Sequence, residues 1–311
     1  MSKRLHGKVA VVTGAGRGIG RAYAHALAAE GAKIVVNDLG AAVDGTGGEE
    51  SSAAAVAREI VELGGEAVAD THSVADFDSA EQIMQTAVSA FGQLDILVAN
   101  AGNIRMAQLH ESSPGDWSDV MAVHADGTFN CIRHAAPLMR EHGGTIITTG
   151  DLSQGFYYPK LGAYRAAKAA IMVVTLTAAH ELKQHGINVN SVFPGTTSTR
   201  MAEAFFDGLD DRESFYADAK EHFQADSEAA AAAPETVPPL GVYLCTDEGR
   251  SITGRSFVMD GTGIGLCTTA SELSFIAPNT DAWTTEELIA RIPTWLTATE
   301  TSAAAVASIH S

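Results

Sequence analysis

Two residues four apart, Tyr164 and Lys168, are the clearest candidates for chemistry in this chain. On a helix such a pair stands on one face, with Cβ atoms about 5–6 Å apart. A phenol has a reference pKa of about 10, and a close ammonium favours the phenolate by about 1–3 units. A tyrosine so placed can exchange a proton with an alcohol near neutral pH. Far upstream, Thr13-Gly14-Ala15-Gly16-Arg17-Gly18-Ile19-Gly20 lies between the apolar run Val9-Ala10-Val11-Val12 and a helical pattern from Arg21 to Glu30. A strand, a tight glycine turn and a fresh helix N-terminus are what a diphosphate needs, because backbone N–H groups and the positive end of the helix dipole face it. The spacing, G-x3-G-x-G, departs from the usual G-x-G-x-x-G. A second apolar run, Lys33 to Asn37, ends in Asp38, eighteen residues after Gly20. A carboxylate there can accept both hydroxyls of an adenosine ribose and repel a 2′-phosphate, so the cofactor is read as NAD rather than NADP.

These residues need a scaffold that brings residue 14 beside residue 164. Regular alternation of strand and helix to about residue 260 predicts one doubly wound parallel sheet, α/β in class, with helices on both faces. Seven strands are expected: Val9–Val12, Lys33–Asp38, Ala67–Ala69, Leu94–Ala99, Thr145–Thr149, Ile187–Gly195 and Arg255–Met259. Trp117 to Arg140 is expected as a long helix broken or bent around Gly127. TGAGRGIG, Asn100-Ala101-Gly102 after the fourth strand and Tyr164-x3-Lys168 together resemble the classical short-chain dehydrogenases/reductases, whose fold is of the Rossmann type. Asn37-Asp38-Leu39-Gly40, Gly45-x-Gly47-Gly48, Ile276-Ala277-Pro278 and Trp283 to Leu288 are similar in wording to the dehydrogenase domain of peroxisomal multifunctional enzymes type 2 and their bacterial single-domain relatives.

The resemblance covers residues 8 to about 290 and implies a set of site residues. Gly14, Arg17, Gly18, Ile19 and Gly20 hold the diphosphate, and Asp38 with Leu39 holds the ribose. An Asp that contacts the adenine amino group in the family falls on His72 here, followed by Ser73 and Val74, with Asp70 two positions earlier. Which of the two touches adenine stays open. Asn100, Ala101 and Gly102 end a strand at the crevice. Pro194 and Gly195 form a turn from which Thr197 and Thr199 meet the nicotinamide carboxamide. Tyr164 is the proton-exchanging residue, and Lys168 orients ribose and supports the phenolate. His124 stands where most members have an Asn that holds a relay water; the multifunctional-enzyme group also has His there, matching Val123-His124-Ala125-Asp126-Gly127.

One position departs from the family. A Ser that hydrogen-bonds the substrate oxygen is expected thirteen residues before the Tyr, and Asp151 occupies that place. An ionised carboxylate only accepts hydrogen bonds and disfavours a phenolate; a protonated one donates as Ser does. Asp151 kept neutral, Ser153 taking over, or an impaired site are the three readings.

Between there and Tyr164, Gly155-Phe156-Tyr157-Tyr158-Pro159 reads as a pocket wall for a bulky apolar substrate. Residues 201–228 resemble a substrate lid rich in acids, unfavourable to a polyanionic acyl-CoA. A hydroxysteroid or cyclic alcohol is therefore the favoured substrate class, with 3-hydroxyacyl-CoA the alternative. A catalytically weak NAD-binding subunit is the reading from another class. Net charge is 20 − 38 = −18, which argues against nucleic acid or anionic membrane as partners. No His/Cys/Asp grouping proposes a metal, and Cys131, Cys245 and Cys267 lie far apart, as buried thiols in a reducing compartment do. With no apolar run of about 18 residues, a soluble, cytoplasmic protein is expected. His310-Ser311 at the C-terminus does not exclude an organelle reached by other signals. Residues 1–265 form the expected catalytic domain and 266–311 an extension packed on it. A homodimer or homotetramer is expected through the helices carrying Tyr164 and Gly127.

Overall fold

The computed structural model of the chain describes residues 3–41, 52–151, 160–195, 197–207, 232–259 and 263–267. β1 (Val9–Thr13), β2 (Lys33–Asn37), β3 (Glu66–Asp70), β4 (Ile96–Ala99), β5 (Gly144–Thr149), β6 (Ile187–Pro194) and β7 (Ser256–Met259) are parallel neighbours in the order β3-β2-β1-β4-β5-β6-β7. The expected count of seven needs correction. An eighth strand, β8 (Ile264–Cys267), turns back antiparallel along the outer edge of β7, pairing Ile264 with Met259 and Cys267 with Ser256. It supplies hydrogen-bond partners to an edge that would otherwise stay open. Gly263 and Gly265 break up its apolar pattern, and so hide it in the sequence.

The strands read as unbroken apolar runs because both faces of the sheet are covered. Alternate residues of each strand enter opposite cores. Ala10, Val12, Ile34, Val36, Ile96 and Val98 pack against helices α1 (Gly18–Ala29) and α2 (Ser52–Glu62). Val9, Val11, Val35, Leu97 and Ile146 pack on the other face, against α3 (Phe77–Phe91) and helices further along the chain. Local signals set α3: the Asp76 side chain caps the Ser79 N–H at 2.8 Å, and Gly92 ends it at φ 87°.

The helix expected from Trp117 to Arg140, broken or bent around Gly127, is broken there into three pieces. α4 (Pro114–Met121) runs into one π turn at Ala122–Asp126, and α5 (Gly127–Met139) follows. The break precedes Gly127, where a Cβ would come 2.9 Å from the Val74 side chain. α6 (Gly162–Leu182) carries Tyr164 and Lys168. α7 (Arg200–Asp207) begins the expected lid, the rest of which lies outside the described residues. α8 (Pro238–Cys245) completes the α1 side of the sheet. No helix among the described residues is long and apolar enough to cross a membrane. Met1–Cys267 forms one unit; residues 268–311, which hold most of the expected extension, lie outside the described residues.

Chain order reverses between β1 and β4, whose C-terminal ends open the crevice where doubly wound sheets bind ligands. The opposite ends are tied by Asp95, which is 3% exposed. Its Oδ2 accepts from the Val9 N–H at 2.9 Å and from Gln93 Nε2 at 2.7 Å, and its Oδ1 from Lys8 Nζ at 3.1 Å. Asp95→Ala leaves a buried N–H without its acceptor. The expected loss is about 2–3 kcal/mol in urea unfolding, and a loss within error of zero would contradict this account.

Candidate active site

At the switch point the chain touches itself. A Cβ on Gly14 would lie 2.8 Å from Ala101 Cα, and Gly14 has φ +62°. Thr13 Oγ1 accepts from the N–H groups of Asn100 (3.0 Å) and Ala101 (3.1 Å). Asn100 Nδ2 returns the contact, lying 3.1 Å from the carbonyl of Thr13 and 3.3 Å from that of Gly14. Gly20 packs behind the turn, where a Cβ would strike the Gly14 carbonyl. It therefore shapes the turn from behind. No side chain caps α1 at Arg17. The first-turn N–H groups of Gly18 and Ile19 stand at a cleft of about 850 Å³, at the upper end for cofactor sites. This uncapped, side-chain-free cradle fits a dinucleotide diphosphate.

Asp38 follows β2 on the same cleft wall, with Leu39 beside it. Its carboxylate is held by the N–H of Gly16 (2.8 Å) and the N–H of Gly40 (2.7 Å), which leaves lone pairs on both oxygens for ribose hydroxyls. Beyond β3 the cleft meets His72, Ser73 and Val74. Asp70 is buried beneath, its Oδ2 2.9 Å from His72 Nδ1. Of the two adenine candidates only His72 reaches the cleft.

At the other end stand Tyr164 and Lys168 from α6, His124 from the π turn and Asp151 just after β5. Lys168 Nζ donates to the Thr149 carbonyl at 2.7 Å and lies 5.4 Å from the centre of the Tyr164 ring. Burial holds the Lys168 ammonium down to about 8, while the charge of Asp151 acts the other way. The His124 ring meets the Tyr164 ring edge-on, centroids 5.2 Å apart. Its Nε2 is within 2.8 Å of the Asn103 carbonyl and 3.1 Å of the Asn103 N–H, and its buried Nδ1 has no partner among the described residues. Burial first, then the Lys168 charge, press this imidazole down to about 3 against the opposing Asn103 hydrogen bond, so it is neutral. Gly102 makes room for it; a Cβ there would lie 2.5 Å from His124 Cε1.

Pro194, Gly195, Thr197 and Thr199 line the wall between the two ends. Ser153 and the aromatic stretch 155–159 lie outside the described residues. Sequence reasoning missed the Thr13 hydroxyl, though it opens the glycine motif. It also gave Pro234 and Glu235 no place at the site. The Thr197–Ala232 bridge brings Pro234 and Glu235 onto the cleft wall, a long-range pairing with no local signal.

Two of these groups bind more protons when unfolded, His124 between about 3 and its ordinary 6.5, Lys168 between about 8 and its ordinary 10.5. Stability of the cofactor-free protein therefore rises with pH through both windows. Lys168→Met removes the upper contribution. Its stability relative to the unsubstituted protein is expected to be highest near pH 7 and to fall by about 3 kcal/mol toward pH 10.5. Denaturant unfolding across that range checks this; a difference independent of pH contradicts it.

Residues 8–210 match the family described as short chain dehydrogenase. The peroxisomal multifunctional enzyme type 2 of Drosophila melanogaster is 38% identical over 245 residues, covering 78% of this chain but only 37% of the fly protein. A 3-oxoacyl-[acyl-carrier-protein] reductase of Synechocystis is 36% identical over 260 residues, 83% of this chain and 97% of the reductase. Among solved structures, a short chain dehydrogenase from Mycobacterium avium superposes with TM-score 0.76 at 38% identity, over 94% of this chain and 95% of that one. A 7α-hydroxysteroid dehydrogenase complexed with NADH and 7-oxo glycochenodeoxycholic acid gives 0.72 at 25% identity, over 84% and 96%. With the glycine turn, the Asn-Ala-Gly strand end and the Tyr/Lys pair meeting in one cleft, the chain belongs to the short-chain dehydrogenase/reductase family.

Proposed function

We propose that the protein is an NAD-dependent dehydrogenase of secondary alcohols, running reversibly as a ketoreductase on a bulky apolar substrate. The observation that carries this reading is that Tyr164 and Lys168 share one cleft with the glycine turn and Asp38. A nicotinamide dinucleotide held by the glycine turn and Asp38 would supply hydride chemistry at the carbinol or carbonyl carbon. The chain's own part is proton and position. The Tyr164 hydroxyl takes up the proton of the substrate alcohol as phenolate, or delivers it to the oxygen in reduction. Lys168, held on the Thr149 carbonyl, supports that phenolate and reaches toward the nicotinamide ribose. His124, neutral and edge-on to the Tyr164 ring, offers Nδ1 to a relay water.

Asp38 supports NAD, since its fixed carboxylate would face a 2′-phosphate. Asp151 donates to the substrate oxygen only when protonated, and Ser153 is the other candidate for that task. Met201, Ala202 and Phe205 on α7 give the cleft an apolar wall, which suits a steroid-like or cyclic alcohol. The reductase relatives favour a second substrate class, a 3-hydroxyacyl thioester. Exposed Phe129 on α5 and Val173 on α6 support pairing with a second copy through these helices. The unpaired thiols of Cys131, Cys245 and Cys267 suit the reducing cytoplasm. A substrate lid beginning with α7 completes the proposal.

NADH formation with a panel of hydroxysteroids, cyclic alcohols and 3-hydroxyacyl thioesters tests the whole reading. Tyr164→Phe is expected to lower kcat/KM by about 10²- to 10⁴-fold with NAD binding kept. NAD binding without turnover of any substrate would instead support the catalytically weak subunit. Asp38→Ala is expected to move the NAD/NADP preference toward NADP by about tenfold or more; an unchanged ratio contradicts the role given to that carboxylate. For the missing hydroxyl, Asp151→Ser and Ser153→Ala decide. A neutral Ser153→Ala beside a more active Asp151→Ser removes Ser153 from the mechanism.

A further inference from the structure

We propose that Glu59 is a second determinant of dinucleotide choice: it neutralises the Arg21 guanidinium and holds it against α2, so that no cation answers a 2′-phosphate at the ribose end of the cleft. The inference rests on the reading of Asp38 as the ribose-binding carboxylate. Two helices flank that residue. α1 starts at the diphosphate cradle, and Arg21 stands about one turn into it, on the cleft wall with Arg17, Asp38 and Leu39. α2 starts beside Asp38 itself, since a Cβ on Gly16 would strike the Ser52 hydroxyl and lie 2.8 Å from Asp38 Oδ2. Glu59, about two turns further along α2, bridges back to α1.

Three nitrogens converge on one oxygen of that carboxylate. Glu59 Oε2 accepts from Arg21 Nη2 at 2.8 Å and from Arg21 Nε at 3.1 Å, and His25 Nε2 lies 2.9 Å from it. Slight burial raises the Glu59 carboxyl, but the hydrogen bonds of His25 and Arg21 outweigh it and hold the group below its ordinary value, so it stays anionic. A guanidinium presents five donors in a fixed fork, and two of those on Arg21 are engaged by Glu59. Both side chains are 40% exposed, so the pair adds little to the stability of the fold. Its consequence lies in what the cleft accepts. A 2′-phosphate brings a charge of about −1.5 to −2 to the neighbourhood of Asp38. A guanidinium without a carboxylate partner would offset part of that charge by bidentate bonding, and a paired one is already neutralised. NAD carries only hydroxyls there and is indifferent to the pair. Asp38 thus repels the phosphate, and Glu59 withholds the cation that could receive it.

Isothermal titration calorimetry with NAD and with NADP at low ionic strength tests this on the full chain by binding alone. Glu59→Gln is expected to tighten NADP about three- to tenfold and to leave NAD within about twofold. Glu59→Asp keeps the charge and is expected to keep the ratio of the two dissociation constants. In the Arg21→Gln background, Glu59→Gln is expected to move NADP by less than about twofold, because the cation it releases is gone. The same substitutions in Asp38→Ala repeat the comparison where NADP binds more tightly. An unchanged ratio in Glu59→Gln overturns the proposal, and so does an equal gain with and without Arg21. If Asp38→Ala shifts the ratio and Glu59→Gln does not, the ribose reading stands and only the role of Glu59 falls. If neither shifts it, both fall. Should Glu59→Gln not fold, Glu59→Ala carries the same comparison.

Discussion

Everything in the cleft depends on how closely two strand ends approach. Between β1 and β4 there is no space for a Cβ at residue 14, and the gap is closed by a reciprocal clasp. Thr13 gives its hydroxyl to two N–H groups beyond β4, and Asn100 gives its amide to two carbonyls beyond β1. The clasp absorbs the polar groups of the crossing point itself. What it leaves over is the N-terminus of α1, uncapped by any side chain and standing at the cleft. The anion site is thus what remains when the sheet's own hydrogen bonding has been satisfied.

The far end of the cleft is built against stability. An ammonium buried on α6 and an imidazole buried in a π turn are each held away from their ordinary protonation by lack of water. Neither environment would be chosen to stabilise a fold, and groups displaced in this way gather at functional sites. The π turn has the same character. One extra residue in the helix turns His124 inward toward Tyr164, at the expense of regular i−4 bonding over Ala122–Asp126.

The strands of the fold were legible because a sheet covered on both faces leaves unbroken apolar runs, and α3 because its caps are local. The π turn was read only as a bend near Gly127, since helix periodicity does not register one inserted residue. β8 was not read at all, its four residues including a glycine and lying exposed on the edge. In the site, Tyr164 and Lys168 were visible from spacing. The meaning of Asp70 beside His72 was not, because it depends on Asn37 and Thr86 arriving from other elements. Pro234 and Glu235 reach the cleft through a pairing across 35 residues, Thr197 to Ala232, which no local pattern encodes.

One carboxylate buried beneath the cleft, Asp70, and one at its other end, Asp151, each stand beside a nitrogen base, and their surroundings give them different work. Asp70 has four donors around it and almost no exposure, so its charge is fully engaged and can only orient. Asp151 raises the affinity of Lys168 for its proton while burial lowers it. Removing that carboxylate would leave burial unopposed and make the ammonium easier to lose. A serine in its place would donate to a substrate oxygen but could not hold the neighbouring charge. The structure thus gives Asp151 one visible effect, support of the Lys168 proton against burial.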